Sequence, residues 1–371
     1  MRPGVEVVMA GLLVEALLAG CASPGAAGTR IAQSMAETGP TIANVGVEPK
    51  TLEPGGARTT IRYTLTHPAR VRVDFVDEAG RVVRQTDEAS QPAGAHQVIW
   101  DGRRDDGRPA AGGVYRYIIR AQDDAGHEVV HDPSMQTGGE ELTPREFTFD
   151  RASGRLRWVM PRAGRARLRV GVEGFPHLRT LLDWEPLEAG SHEIVWDGLD
   201  ASGLIRAIDH SRLVVKLSAY ALPDNTLIVR GKPADEPPTA PAAYPPEEHP
   251  GRAYLHARHP RAICHEARLA VLFPPETPRD AQGRPVIRGT VPVRVALEAA
   301  DALHLVNQRF EVALYEDLTF LFEEEESANP FTFLWDTSRL PEGAHVLTVN
   351  LFSYDDHFGV ATQPVVIERE E

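Results

Sequence analysis

Cysteine and lysine are scarce in this chain of 371 residues: two of the former, and three of the latter (Lys50, Lys216, Lys232) against 36 arginines. Two cysteines, Cys21 and Cys264, allow one disulfide at most, so the sequence does not read as a disulfide-stapled scaffold and stability has to come from packed cores. Positive charge is also outnumbered, 39 basic against 53 acidic residues for a net charge of −14. That balance disfavours nucleic acid as the main partner, since phosphate binding needs a concentrated positive field. The apolar stretch from Val5 to Leu18 is short for a membrane span and has the layout of an export signal. With 30 prolines and 31 glycines long helices cannot dominate the chain, while 42% hydrophobic and 25% charged residues mark ordinary globular material.

What the chain does have is alternation. Thr59-Ile61-Tyr63-Leu65, Val71-Val73-Phe75, Val98-Trp100 and Val114-Tyr115-Tyr117-Ile119 supply apolar sets. Turn signals separate them at Glu78-Ala79-Gly80, Pro92-Ala93-Gly94 and Asp105-Asp106-Gly107. This is the pattern of antiparallel sheet at sandwich spacing. The segment Gly94-Ala95-His96-Gln97-Val98-Ile99-Trp100-Asp101-Gly102 recurs as Gly190-Ser191-His192-Glu193-Ile194-Val195-Trp196-Asp197-Gly198, and Ala69 to Val73 recurs as Ala166 to Val170. A looser echo follows in Trp335-Asp336 and Gly343-Ala344-His345. The fold class expected is all-β: tandem immunoglobulin-like β-sandwiches joined by a Pro-rich linker, with Trp100, Trp196 and Trp335 anchoring the cores.

The first repeat resembles the FlgD-type immunoglobulin-like domain over roughly residues 58 to 122. It does so through Ala79 to Arg84, Ala93-Gly94-Ala95-His96, Trp100-Asp101-Gly102, Gly107-Arg108-Pro109 and Gly113-Val114-Tyr115. The second repeat keeps Trp-Asp-Gly but has Ala207 to Ser211 in place of the Gly-x-Tyr strand start. At the N-terminus, Leu18-Ala19-Gly20-Cys21 resembles the lipobox of bacterial lipoproteins, which implies a lipid on Cys21, removal of the signal peptide and, with Ala22 next, an outer-membrane or cell-surface location in the envelope. The expected organisation is a signal peptide at 1–21, a tether at 22–42, modules at 43–135 and 143–232, a Pro/His-rich linker at 233–262 and a third module at 263–371. Seven prolines between Pro233 and Pro250 would make that linker a semi-rigid spacer on the order of 50 Å, with the third module as a distal head.

Four constellations bear on chemistry. His127-Glu128-Val129-Val130-His131 fits H-E-x-x-H, which needs a helix to bring both imidazoles to one metal. The preceding Asp-Asp-Ala-Gly and the parallel with Leu227-Ile228-Val229 place it on a strand, where residues four apart are separated by about 13 Å. His249, His256, His259, Cys264 and His265 are weak metal candidates, read first as an incidental part of the linker. Asp101, Asp105, Asp106, Asp197 and Asp200 suit tight turns rather than calcium loops. Arg165, Arg167 and Arg169 alternate with apolar residues, so they form an outward stripe, either a solvated face or a site for an acidic partner. No residue is assigned to catalysis and no cofactor is expected.

The functional expectation is a non-enzymatic cell-surface lipoprotein. It would be a structural or protein-binding scaffold of Ig-like modules with protein partners in the envelope and the membrane as anchor, and without nucleic acid or small-molecule substrate. The rivals are an accessory subunit of a larger envelope or extracellular assembly, redox or filamentous, docking through residues 249 to 265, and a metal-dependent hydrolase using residues 127 to 131.

Overall fold

The computed structural model describes residues 39–53, 56, 58–174, 176–232, 265–305, 310–353 and 358–369. The expectations for Cys21, His249, His256, His259 and Cys264 lie outside those residues. The described chain is nearly all β. Among its residues no helix is long and apolar enough to cross a membrane.

The first module comprises β1 (Ile42–Glu48), β2 (Thr51–Leu52), β3 (Thr59–Leu65), β4 (Ala69–Val76), β5 (Val82–Gln85), β6 (Ala89–Gln91), β7 (Gly94–Trp100), β8 (Gly113–Gln122) and β9 (Glu128–His131). Strands β1-β3-β7 form one sheet, and β4, β5, β6, β8 and β9 lie in the other. Ile61, Tyr63, Leu65, Val71, Val73, Phe75, Trp100, Tyr115, Tyr117 and Ile119 meet between the sheets, so the alternating positions read from the sequence do face the core. Trp100 stacks on Phe75 at 4.7 Å between ring centroids, and its indole N–H donates to the Arg103 carbonyl at 2.8 Å.

The second module comprises β10 (Glu141–Leu142), β11 (Arg145–Asp150), β12 (Arg155–Met160), β13 (Gly164–Val172), β14 (His177–Leu187), β15 (Gly190–Val195), β16 (Leu213–Ala221) and β17 (Thr226–Val229). Its sheets are β11-β12-β15 and β10-β16-β13-β14. Trp196 is buried in this core, and its N–H donates to Leu199 as Trp100 donates to Arg103. The third module comprises β18 (Leu269–Leu272), β19 (Val286–Ile287), β20 (Thr290–Leu297), helix α1 (Ala299–Leu305), β21 (Phe310–Glu316), β22 (Thr319–Glu324), β23 (Phe331–Asp336), β24 (Gly343–Ser353) and β25 (Phe358–Ile367). It pairs β18-β20-β23 and β19-β25-β24-β21-β22 around a core that holds Trp335.

One strand departs from the repeat boundary. β17 follows β16 as β9 follows β8, yet it pairs with β8 of the first module, Thr226 to Val229 against Arg116 to Gly113, and lies parallel to β2 on its other edge. Leu227 and Val229 enter the first core, while Ile228 packs with Val114 and Leu222 on the opposite face. The reason is local. β9 pairs only with Ile119 to Gln122, because Asp132 caps a 3₁₀ turn and Pro133 cannot donate to a ladder. That leaves the first half of β8 bare, and β17 covers it. The resulting order β2-β17-β8-β4-β5 matches β19-β25-β24-β21-β22 of the third module, where the unbroken β25 fills the same place. The second module thus gives its last strand to the first.

Candidate functional site

The arginine stripe is not outward. Arg165, Arg167 and Arg169 are 3%, 7% and 7% exposed, which corrects the expectation of a solvated face or a free docking site for an acidic partner. β13 is central, hydrogen-bonded to β14 on one edge and β16 on the other, and alternate residues point to opposite sheet faces. Ala166, Leu168 and Val170 take the core side. The opposite side is covered by the first and third modules.

Each guanidinium finds a partner suited to its planar, delocalised charge. Arg165 donates to the Trp184 carbonyl at 2.8 Å and forms an ion pair with Glu78 of the first module. Arg167 lies over the Trp184 ring at 4.4 Å and over Phe358 of the third module at 4.7 Å, and Arg169 lies 3.6 Å from the Phe358 centroid. Arginine tolerates such burial because it is weakly hydrated and stacks on aromatic faces; lysine would not. The arginine bias of the composition has a structural use at these positions.

The same joint holds a reciprocal amide contact. The His177 backbone N–H donates to Asn350 Oδ1 at 2.8 Å, and Asn350 Nδ2 donates back to the His177 carbonyl at 2.9 Å. Burial, with the positive charges of Arg169 and Arg167, pushes the His177 imidazole down to about 3, so the ring is neutral at neutral pH. Glu266 donates its backbone N–H to Asp183 and accepts from the Val360 N–H, and burial raises its carboxyl. These contacts correct the expectation of a distal head: the third module is docked against the second through the face that carries the arginines. The linker composition was legible, but a tether's length sets only how far two modules can separate, not whether they touch.

The remaining sequence-derived residues are scattered. His127 bonds Asp123 Oδ2 at 2.9 Å, whereas His131 stacks on Tyr117 at 6.5 Å, so the two imidazoles face different partners on and beside a strand, as the hairpin signal predicts. Of the linker cluster only His265 is described; its Nε2 lies 2.8 Å from Asp301 Oδ1. Asp101, Asp106 and Asp197 accept the backbone N–H two residues on, and Asp200 accepts those of Leu204 and Ile205, which is turn chemistry. Asp105 accepts from the Gln85 N–H and the Arg84 guanidinium.

Sequence reasoning missed Trp158, Trp184, His177, Glu78 and Asn350. Asn350 had a signal: Thr348 and Asn350 interrupt one side of the apolar run from Val346 to Phe352, and both are fully buried. Trp184 had none, because its position depends on a bulged register in β14 and a positive φ of 51°.

The comparisons place the first module. Residues 50–125 match the family described as FlgD Ig-like domain. The matched span includes β3, β4, β7 and β8 with Trp100, and stops before β9 and the inserted β17. No curated protein matches the chain. Among solved structures it is similar to the fibronectin(III)-like modules of Clostridium thermocellum CbhA, at 9% identity over 88% of this chain and 94% of that one, with a TM-score of 0.20. It is also similar to a structure concerned with host cell surface retention of a 1.5-MDa bacterial ice-binding adhesin (11%, 89% and 98%, TM-score 0.19). A third is the tetra-tandem repeat in the extending region of a large adhesion protein (14%, 88% and 74%, TM-score 0.20).

Proposed function

We propose that the chain is a non-enzymatic scaffold of Ig-like modules, held to the cell envelope by a lipid on Cys21 and binding protein partners there. The observation that carries the reading is where its charge and strand edges are spent. A strand of one module completes the sheet of another, and the buried arginines clasp Glu78 on one side and Phe358 on the other. Such joints hold modules in a fixed relation, which serves spacing and presentation rather than turnover. The FlgD Ig-like match supports a non-catalytic role for the first module.

The faces left for partners recur with the repeat. Ile99, Val195 and Leu334 each precede the core tryptophan and are 51%, 62% and 67% exposed. They lie on β7, β15 and β23, the terminal strands of the three-stranded sheets. An exposed edge with an apolar side chain invites strand addition by an extended segment of a partner. Expression of the full chain and of Cys21→Ala in a lipoprotein-processing host tests the anchor. The wild type is expected in the membrane fraction with incorporated fatty acid, and the variant in the soluble fraction. Equal partition of the two would refute the anchor. Cross-linking of wild type and of an Ile99→Lys, Val195→Lys, Leu334→Lys triple variant in the envelope tests the contact faces, with loss of cross-linked partners expected in the variant.

A further inference from the structure

The repeated Gly-x-His element builds the same clasp three times. Gly94, Gly190 and Gly343 have φ of 131°, 117° and 131°, and two residues later an imidazole Nε2 reaches back to the carbonyl of residue i−4. The contacts are His96 to Pro92 at 2.8 Å, His192 to Glu188 at 2.8 Å and His345 to Pro341 at 2.9 Å. A carbonyl only accepts, so Nε2 carries the hydrogen in each clasp, and in the neutral ring Nδ1 holds a lone pair.

In the first two modules an aromatic ring lies beside that imidazole, Tyr63 against His96 and Trp158 against His192. In the third, the β21–β22 turn brings two carboxylates instead. His345 Nδ1 lies 2.5 Å from Glu316 Oε1 and 2.7 Å from Asp317 Oδ2. His345 and Glu316 are each 8% exposed, while Asp317 stands at the open side of the group. A buried Nδ1 that faces two carboxylate oxygens needs a positive charge among them, either a proton on the ring or a metal ion that displaces it. The clasp that fixes the tautomer involves neither carboxylate.

We propose that Glu316, Asp317 and His345 bind a divalent transition metal, zinc being the probe of choice. Imidazole nitrogen with carboxylate oxygen suits zinc, at about 2.0–2.2 Å per bond, and the exposed side leaves a fourth position to water. The surrounding shell is that of a metal-binding histidine: Nε2–H is held by a backbone carbonyl, and Asp317 Oδ1 accepts the Val346 N–H at 2.8 Å, which orients its other oxygen. Tetrahedral zinc needs its donors about 3.3 Å apart. Both contacts to Nδ1 would then have to open by less than about 1 Å, Asp317 from a two-residue surface turn and Glu316 from the end of β21. The metal would pin the β21–β22 turn to the start of β24.

The test uses the purified full chain, stripped with chelator and titrated with zinc chloride at pH 7.5, then with cobalt(II) as a spectroscopic stand-in. The expectation is a zinc equivalent whose affinity falls about tenfold or more in both Asp317→Asn and His345→Gln, with the visible bands of low-coordinate cobalt lost in step. Asp317→Asn changes an exposed side chain, so its folding is checked separately by circular dichroism. His127→Ala is expected to leave the stoichiometry unchanged. Absence of zinc binding, or binding that survives both Asp317→Asn and His345→Gln, would overturn the proposal.

Discussion

Acidification tests the joint between the second and third modules. His177 is held down to about 3 in the folded protein, against an ordinary value of 6.5 once exposed, by burial and by Arg169 and Arg167. Between those values the exposed state binds a proton that the folded state refuses. Stability contributed at this site is therefore complete above about pH 6.5 and falls as pH drops toward 3. One pH unit corresponds to about 1.4 kcal/mol, so at pH 5 the site alone costs about 2 kcal/mol. No discount for solvent screening applies, because the ring is buried. Glu266, whose carboxyl burial raises, acts in the opposite direction, so a simple pH scan mixes the two. The assay is urea unfolding of the full chain at pH 7.5 and pH 5, followed by tryptophan fluorescence, which includes Trp184 beside Arg167. The same pair of measurements on His177→Gln, a neutral side chain, isolates the term. Wild type is expected to lose about 2 kcal/mol more than the variant on going to pH 5. A difference near zero would refute the account of this joint.

Three further outcomes follow from the packing. Leu227→Ala, although it lies in the second repeat, is expected to destabilise the first module by about 2–5 kcal/mol, read as earlier loss of the Trp100 environment in denaturant. Glu78→Gln removes the Glu78 carboxylate from the buried Arg165 guanidinium and is expected to cost up to about 3–5 kcal/mol, whereas Glu78→Leu with Arg165→Met is expected to cost less than the single change; paired denaturation curves decide this. Gly154→Ala would set a Cβ 1.9 Å from the Trp196 carbonyl at a φ of 67°, so a fall in stability above about 1 kcal/mol is expected by calorimetry.

Much of the fold was legible because each module repeats a strong local code. Thr59 to Leu65 alternates without interruption, Gly94 and Gly190 mark strand starts, and a tryptophan before Asp-Gly closes the strand in both early repeats. The H-E-x-x-H segment was readable as strand from its own hairpin signal. The candidate sites were less legible. Arg165, Arg167 and Arg169 look the same in sequence on a solvated sheet face as on a face buried by neighbours. Glu316 and His345 are 29 residues apart in different strands, and no spacing rule links them.

The sequence by itself determined the β pattern: which residues alternate, where turns fall, and that Trp100, Trp196 and Trp335 lie in cores, because strand period and turn chemistry are local. Only the tertiary structure decided how the modules are joined. β17 left its own repeat because Pro133 bared half of β8, the arginines were buried because Glu78 and Phe358 met them, and His345 faced two carboxylates because a distant turn packed beside its clasp. These are long-range contacts, set by which surfaces cover one another, and a linear pattern does not encode them.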